Sequence, residues 1–298
     1  MLAMQKVLSL KDELKKKNPK LEGKFLISEK IDGWYVQIYY SPAFGWCSPV
    51  SSSGRTIPSL EWTKEVFNKQ FVRPSYPICL IAEAHLEDTP FHITNGMLNR
   101  SKGDYHLKEV SFAFHDLIDI QKPIFDAVTR AKLLREFIKQ SDTTAIGNWS
   151  ILPLITETPC NYNYDVWYRE FDKIVSAGGE GIVAKRTTGG YSAGKRNTDL
   201  IRIKAECTVE AVAMELEYTI GDKGNPGITL ISKLANGILV RTVLNKHEDQ
   251  ALFTAQASSM LGNTVVQLKA MEELEDGQLR QPVFQCVRYD KLITDVLK

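Results

Sequence analysis

The chain has 298 residues, of which 43% are hydrophobic and 24% charged, and its formal net charge is +1. These are ordinary globular values, and no apolar run reaches the roughly 18 residues of a membrane span, so an integral membrane protein is not expected. The cysteines form no C-x-x-C pair, which argues against the usual zinc motifs and fits reduced thiols: Cys47, Cys79, Cys160, Cys207 and Cys286.

The first predicted element is a short amphipathic helix within MLAMQKVLSLKDELKKKNPK, residues 1–20. Its lysines follow a short apolar stretch, whereas a secretory signal places positive charge before a longer apolar core. We therefore expect no signal peptide and a cytoplasmic location, which would be the host cytoplasm if the protein is viral.

The next part of the chain mixes strands and helices. The pattern FLISEKIDGWYVQIYY predicts two strands separated by a turn at Asp32 and Gly33. Apolar residues at helical spacing predict helices at 125–140 and 164–178, the second ending at a Gly-Gly pair. Further strands are predicted at residues 78–86, 110–118, 181–186 and 200–204.

After residue 204 the sequence changes to short strand-like runs separated by turns, which predicts an all-β region such as a small barrel. Residues 1–204 carry a net charge of +5 and residues 205–298 a net charge of −4. We expect a domain boundary near residues 204–208, with a larger α+β domain (1–204) followed by a small β domain (205–298). The mildly basic first domain is compatible with phosphate binding without establishing it.

Lys30 directly precedes a tight turn in Lys-Ile-Asp-Gly, residues 30–33. Taken alone, this pattern also fits a solvated lysine at a surface turn. A lysine amine with an ordinary pKa of about 10.4 is almost fully protonated near neutral pH. A nucleophilic lysine therefore needs burial, neighbouring cations or a metal to reach its neutral form.

Two glutamates are candidates for the same site. Glu83 lies within the apolar strand ICLIAEAHL, where a carboxylate is costly unless it has a partner. Glu180 and Lys185 lie at an odd spacing in GGEGIVAKR, so they would face opposite sides of a strand. A bulge or a bend at Gly181 is needed to aim both of them inward.

Two cations follow on one strand. Arg202 and Lys204 are two residues apart in LIRIK and share one face, an arrangement suited to phosphate. A polar outer face of an edge strand would give the same pattern.

Together, the lysine turn, strand glutamate, aromatic strand, Glu-Gly-x-x-x-Lys segment and cationic strand resemble the covalent nucleotidyltransferase superfamily of DNA ligases, RNA ligases and mRNA capping enzymes. The resemblance covers roughly residues 24–291 and rests on the ordered series, because the KxDG element alone is weakly specific. It implies an α+β fold, with an ATP-grasp-like nucleotidyltransferase (adenylation) domain of antiparallel sheets and helices followed by a small all-β OB-fold domain.

The resemblance implies roles for the matched residues. Lys30 would attack the α-phosphate of ATP, and Asp32 belongs to the same catalytic motif. Glu83 would contact the ribose or the metal. Glu180 would hold the catalytic ion, magnesium or manganese.

The nucleotide base is assigned by the same resemblance. His115 stands where the family usually has a phenylalanine stacked on adenine; an imidazole can stack, and Phe114 is the alternative. Val183 would cover the other face of the adenine. Further nucleotide contacts are implied for Glu29, Ile31, Arg55, Lys185, Arg202 and Lys204.

The C-terminal segment RQPVFQCVRYDK resembles the end of a ligase OB-fold. Arg288 and Lys291 would bind the β- and γ-phosphates of ATP in the first step. The R-x-P-V-F pattern favours an ATP-dependent DNA ligase of the minimal two-domain viral, phage or bacterial type. Such an enzyme seals 3′-hydroxyl/5′-phosphate nicks in duplex DNA, and we expect it to be a monomer without a membrane partner.

DNA contacts are predicted in two loops that contain glycine and serine. Arg100 and Lys102 lie in one loop, and Lys195 and Arg196 lie in the other. Solvated loop charges would give the same clusters.

The sequence departs from the ligase pattern at two positions. Tyr35 stands where K-x-D-G-x-R has arginine, and Ser52 stands where a second arginine is common, with Arg55 nearby as its substitute.

Alternative functions remain open at this point. One is an RNA ligase or a capping guanylyltransferase of the same superfamily. The other is a non-catalytic OB-fold protein that binds single strands, which would need exposed aromatic residues on the barrel.

Overall fold

A computed structural model describes residues 2–16, 21–87, 89, 91–98, 109–141, 149–151, 154–161, 164–220, 226–274 and 276–297. The chain divides into two compact units, Met1–Lys204 and Ala205–Lys298. Within the residues described, no helix is both long enough and apolar enough to cross a bilayer.

The described residues of the first unit form eleven strands and five helices. The strands are β1 (Lys6–Ser9), β2 (Glu22–Glu29), β3 (Trp34–Ser41), β4 (Gly45–Trp46), β5 (Val50–Ser51), β6 (Ile78–His85), β7 (Ser111–Asp119), β8 (Trp149–Ile151), β9 (Leu154–Asn161), β10 (Gly181–Arg186) and β11 (Arg196–Lys204). The helices are α1 (Leu10–Leu14), α2 (Thr63–Gln70), α3 (Phe91–Leu98), α4 (Ala127–Gln140) and α5 (Asp165–Ser176), and a short 3-10 turn spans Pro58–Leu60.

These strands form two sheets. Sheet 1 has the order β1-β11-β10-β2-β9, and sheet 2 has the order β4-β3-β6-β7-β8, with β5 also paired to β3. All neighbours are antiparallel except β1 with β11 and β7 with β8. The predicted turn at Asp32 and Gly33 does not join a hairpin, because β2 and β3 belong to different sheets. It carries the chain from one sheet to the other.

Each sheet buries one face against helices. Sheet 1 packs Phe25 and Ile182 against Trp167 of α5, and the Phe25 and Trp167 rings meet edge to face at 5.0 Å. Sheet 2 packs its aromatic residues with those of α2 and α4 around the fully buried Trp46. The predicted helices at 125–140 and 164–178 are confirmed as α4 and α5. The side chain of Asp126 caps α4 by accepting a hydrogen bond from the Thr129 amide.

The predicted amphipathic helix at residues 1–20 is wrong for its first half. Residues 6–9 form β1 and only Leu10–Leu14 are helical. Local spacing favoured a helix, but pairing with the exposed edge of β11 satisfies the backbone of this segment instead.

The second unit is a curved five-stranded sheet with the order β14-β13-β12-β15-β18, whose two edge strands contact each other. Its elements are β12 (Cys207–Ile220), β13 (Pro226–Leu234), β14 (Leu239–Val243), α6 (His247–Ala255), α7 (Ala257–Met260), β15 (Val265–Ala270), β16 (Glu272–Glu273), β17 (Leu279–Arg280) and β18 (Val283–Val287), followed by a 3-10 turn at Ile293–Asp295. The all-β prediction missed α6 and α7, which bury Phe253 and Met260 in the core of this unit.

Candidate active site

The uncovered faces of sheets 1 and 2 enclose a cavity of about 250 Å3 in the first unit. Sheet 1 supplies one wall and sheet 2 supplies the other. The segment between β2 and β3 crosses from wall to wall and places Lys30 in the cavity. Glu29 and Ile31, also predicted to contact the nucleotide, line the same cavity.

Lys30 is fixed by both its backbone and its side chain. Its amide donates to the Gly181 carbonyl at 2.8 Å, and its amine donates to Glu180 Oε2 at 2.5 Å. The side chain is 23% exposed, so solvent reaches the amine, whereas Glu180 is 9% exposed. The turn that follows needs glycine, because a Cβ on Gly33 would lie 2.9 Å from the Cβ of Glu83. The charged group that contacts Lys30 is thus the Glu180 carboxylate. The sequence had suggested neighbouring cations, which would favour the neutral amine.

A backbone bend at Gly181 explains how Glu180 and Lys185 can serve the same site although they are five residues apart. Its φ is +148°, and a Cβ there would stand 2.2 Å from the Ile203 carbonyl oxygen. Glu180 precedes this bend and turns toward Lys30, while Lys185 points into the cavity from within β10. The bend foreseen at Gly181 is therefore present.

Side chains along the strands of sheet 1 alternate between the core and the cavity. Ile182 and Ile201 face the core, whereas Val183 and Arg202, which are cross-strand neighbours, face the cavity. The Nε of Arg202 is buried and has no hydrogen-bond partner among the described residues. A buried guanidinium nitrogen without a partner is costly, so this atom suits an anionic ligand. Lys204 pairs with Gly181 and does not line the cavity.

Glu83 extends from sheet 2 into the cavity, because its neighbours Ala82 and Ala84 face the core. Burial raises the pKa of Glu83 to about 8; Lys30 opposes this shift, and Glu180 and Asp32 add to it. Glu83 therefore binds a proton more readily than an ordinary glutamate does. Asp32 does not line the cavity, but it lies close enough to act on this pKa.

His115 reaches the cavity through a β-bulge. Ile81 pairs with Asp116 and Ala82 pairs with Phe114, which leaves His115 as the extra residue. His115 and Asp116 both line the cavity as a result, whereas Phe114 is fully buried in the core of sheet 2. The alternative role of Phe114 as the stacking ring in this cavity is thus wrong. Burial, and then Lys185, lower the pKa of His115 to about 3, so its imidazole is neutral.

Asp116 connects the two walls of the cavity through ion pairs. Arg130 of α4 donates to it at 2.8 and 3.3 Å, and the Lys185 amine donates at 3.1 Å. Burial alone would raise the pKa of Asp116, but Lys185 and Arg130 together hold it well below its usual range. Arg130 also donates to the carbonyls of Phe125 and Gly189. The sequence analysis missed Arg130, although a cation on the apolar face of the predicted helix was a visible signal.

Tyr35 occupies the arginine position of the family pattern and lines the cavity. Its hydroxyl lies 3.3 Å from that of Tyr191 and accepts a hydrogen bond from Gln37 at 2.9 Å. Burial raises the pKa of both tyrosines, which stay neutral. Met4 and Gln5 complete this end of the cavity; neither they nor Tyr191 were predicted.

A magnesium or manganese ion would be held by Glu83 and Glu180. Among the described residues, no three His, Cys, Asp or Glu side chains are arranged to hold a metal ion. Mg²⁺ commonly binds one or two carboxylates together with substrate phosphates and water, so two glutamates suffice. Burial is the main cause of the raised pKa of Glu83, and the repulsion from Glu180 that adds to it also favours an added cation. The donor set therefore fits this metal.

Three further predicted residues that the structure describes in the first unit, Arg55, Lys195 and Arg196, do not line this cavity. Arg55 borders a second cavity of about 490 Å3 with Ser51, Ser52 and Ser53, and this cavity shares Tyr35 with the first. Lys195 and Arg196 are exposed at the start of β11. Arg100 and Lys102 lie outside the described residues.

Arg288 and Lys291 lie on the second unit, where both contact Glu210. Arg288 donates to Glu210 at 2.9 Å and forms a two-pronged contact with Asp290 at 2.7 and 2.9 Å. The Lys291 amine is 3.7 Å from Glu210. Their assignment to the β- and γ-phosphates stays a prediction.

No protein-family model and no curated protein matches the sequence. Solved structures do match. One named Pmar-Lig_Pre is 17% identical with a TM-score of 0.76, and the alignment covers 97% of this chain and 68% of that one. A Lig E DNA ligase is 15% identical with a TM-score of 0.70, covering 97% of this chain and all of that one. The ATP-dependent DNA ligase of bacteriophage T7, in complex with ATP, is 19% identical with a TM-score of 0.50, covering 96% and 98%. The predicted α+β fold class is confirmed, because the chain shares its fold with these DNA ligase structures.

Proposed function

We propose that the protein is an ATP-dependent DNA ligase that seals 3′-hydroxyl/5′-phosphate nicks in duplex DNA. It acts through AMP linked covalently to Lys30, then through a DNA-adenylate. One observation carries the proposal: the partly exposed Lys30 side chain lies in a cavity whose opposite wall holds Glu83. The near wall holds the buried Nε of Arg202, which has no hydrogen-bond partner among the described residues. The match to ligase folds supports the same assignment.

In the first step the Lys30 ammonium gives a proton to water in the open cavity and its lone pair attacks the α-phosphorus of ATP. A P–N bond forms, the bond to the bridging oxygen of the β-phosphate breaks, and pyrophosphate leaves with the electron pair. The nitrogen then loses its second proton to water, which leaves a neutral P–NH linkage. Arg202 would neutralise charge on the α-phosphate; its buried Nε, which has no acceptor among the described residues, supports this role. Lys185 adds positive charge on the same wall, and Lys204 lies two residues beyond Arg202 on β11 without lining the cavity.

A divalent ion on Glu83 and Glu180 would supply charge neutralisation at the phosphates. Before the nucleotide binds, Glu180 holds the Lys30 amine in one orientation through their direct contact. Neutral His115 and Val183 are the residues of the two walls that would contact the base. Arg288 and Lys291 are assigned to the β- and γ-phosphates, which requires that both leave Glu210.

In the second step an oxygen of the 5′-phosphate at the nick attacks the phosphorus of the lysyl-AMP. The P–N bond breaks, and the Lys30 nitrogen takes up two protons from solvent to return to its ammonium form. In the third step the 3′-hydroxyl attacks the 5′-phosphorus, loses its proton to solvent and expels AMP. Each step is an in-line phosphoryl transfer, so the protein mainly positions groups and neutralises charge.

The test compares sealing of two nicked duplexes by the wild type and Lys30→Ala. With an ordinary 5′-phosphate nick, ATP and magnesium, the wild type should seal and the variant should not. With a nick that already carries 5′-linked AMP, both should seal without ATP, because Lys30 is then no longer the AMP donor. Equal sealing of the ordinary nick by both proteins would contradict the proposal. Sealing of a nicked RNA duplex alone would reassign the enzyme to RNA.

A further inference from the structure

A cluster of three cations lies at the edge of sheet 1. The edge strand β1 runs parallel to β11 and places Lys6 opposite Arg196. The Lys6 amide donates to the Lys195 carbonyl at 2.9 Å. These three residues, Lys6, Lys195 and Arg196, are called the basic edge below.

The basic edge is exposed and carries no counter-charge. All three side chains face solvent, and none forms an ion pair within the described part of the chain. The nearby carboxylate of Asp199 is engaged by Arg186 at 2.9 Å. Like charges that face each other on adjacent strands destabilise a sheet. An anionic partner from outside the chain would offset that repulsion.

The basic edge is also held rigidly. The Gly194 amide donates to the Met4 carbonyl at 3.2 Å, and the Gln5 side chain donates to Asn197 at 3.3 Å. The Gly194 φ of +69° lets the loop turn back onto this segment. Because the segment and the loop are tied at several points, the cations lie on a fixed frame, and binding a partner would order little backbone.

The basic edge borders the cavity that holds Lys30. Met4, Gln5 and Val7, on either side of Lys6, line that cavity, and so does Tyr191, just before the loop. Lys6 itself is exposed. An anionic chain bound to the basic edge would therefore pass beside the mouth of the cavity.

We propose that Lys6 acts with Lys195 and Arg196 to bind the sugar-phosphate backbone of duplex DNA next to the nick; this rests on the proposed function. Lysine and arginine side chains on a fixed backbone suit phosphate contacts, which position a duplex without reading its bases. Lys6 was not among the residues predicted to contact DNA.

The test measures affinity for a nicked duplex at several salt concentrations for the wild type, Lys6→Glu and the control Lys64→Glu. Lys64 is an exposed lysine on α2 that lines neither cavity, and its replacement changes the charge equally. Each lost phosphate contact should reduce the slope of log affinity against log salt by about 0.9 and weaken binding about threefold or more in moderate salt. Lys6→Glu should therefore bind more weakly than both other proteins.

The melting temperature separates binding from folding. A carboxylate opposite Arg196 replaces a repulsive pair with an attractive one, so Lys6→Glu should melt at or above the wild-type temperature while binding DNA less well. Wild-type affinity and salt slope in Lys6→Glu, or an equal loss in Lys64→Glu, would overturn the proposal. Failure of wild-type Lys30 to accept AMP from ATP would instead reject the ligase function.

Discussion

The two walls of the cavity differ in charge and in regularity. The wall from sheet 1 presents Arg202 and Lys185 from strands that alternate without interruption. The wall from sheet 2 presents Glu83 and Asp116, and it needs a bulge to do so. Regular strand alternation is therefore sufficient to bring two cations to one wall of the cavity. Placing an imidazole and a carboxylate side by side requires a break in the sheet.

The largest expected effect concerns Asp116, which links the walls. Asp116→Asn removes the anion between Lys185 and Arg130 and leaves two buried cations without their carboxylate. Breaking a buried ion pair in this way should lower the free energy of unfolding by about 3–5 kcal/mol. Urea denaturation measures the change.

Asp119→Asn is the matched control for that experiment. Asp119 is also buried on β7, but its carboxylate accepts only from the amides of Gln121 and Lys122 among the contacts described. Its replacement should cost about 1 kcal/mol. Equal losses for the two variants would show that the walls are not joined through Asp116.

Arg202→Ala tests the wall from sheet 1. It removes the buried guanidinium assigned to the α-phosphate, and the rate of AMP attachment to Lys30 should fall about a hundredfold. Arg202→Lys should recover part of this loss, because it restores charge but not the planar group. Arg73→Ala, which removes an exposed arginine outside the cavity, should leave the rate unchanged. A rate near wild type for Arg202→Ala would remove this wall from the mechanism.

Glu83→Gln tests the opposite wall through pH. The pKa of Glu83 is about 8 in the folded protein and 4.5 in the unfolded chain. Between these pH values the folded state therefore binds a proton that the unfolded state does not. The wild type should therefore lose stability as pH rises through this window. Glutamine does not titrate, so the free energy of unfolding of the Glu83→Gln variant, relative to that of the wild type, should rise by roughly 1 to 3 kcal/mol between these pH values. A constant difference across the window would contradict the raised pKa of Glu83.

His115→Phe should give the smallest change, with the opposite slope. The pKa of His115 is lowered to about 3, so at mildly acidic pH the unfolded state binds a proton that the folded state excludes. The wild type should lose roughly 1 kcal/mol from this residue as pH falls from about 6.5 to about 5. The phenylalanine variant should lack that loss in a thermal melt. Parallel pH profiles would mean that His115 is not buried as a neutral ring.

Local patterns were sufficient for much of the fold. Strand alternation places Glu83, Val183 and Arg202 on faces opposite to the core, and helical spacing identifies α4 and α5. These features depend on residues close in sequence, so one chain reveals them.

The remaining features depend on contacts between distant segments. The bulge at His115 arises from pairing with Ile81 and Ala82, and β1 forms because residues 6–9 find an open edge at β11. Arg130 meets Asp116 only after α4 packs on sheet 2. The helices α6 and α7 lie in a stretch with weak periodicity, where strand-like neighbours dominated the prediction.

The most direct test of the account is to locate the AMP. The wild type is incubated with ATP and magnesium, digested at neutral or alkaline pH because phosphoramidates hydrolyse in acid, and mapped by mass spectrometry. The account predicts one AMP per chain, on the peptide containing Lys30, and none in Lys30→Ala. AMP on another residue, or undiminished labelling of Lys30→Ala, would contradict it.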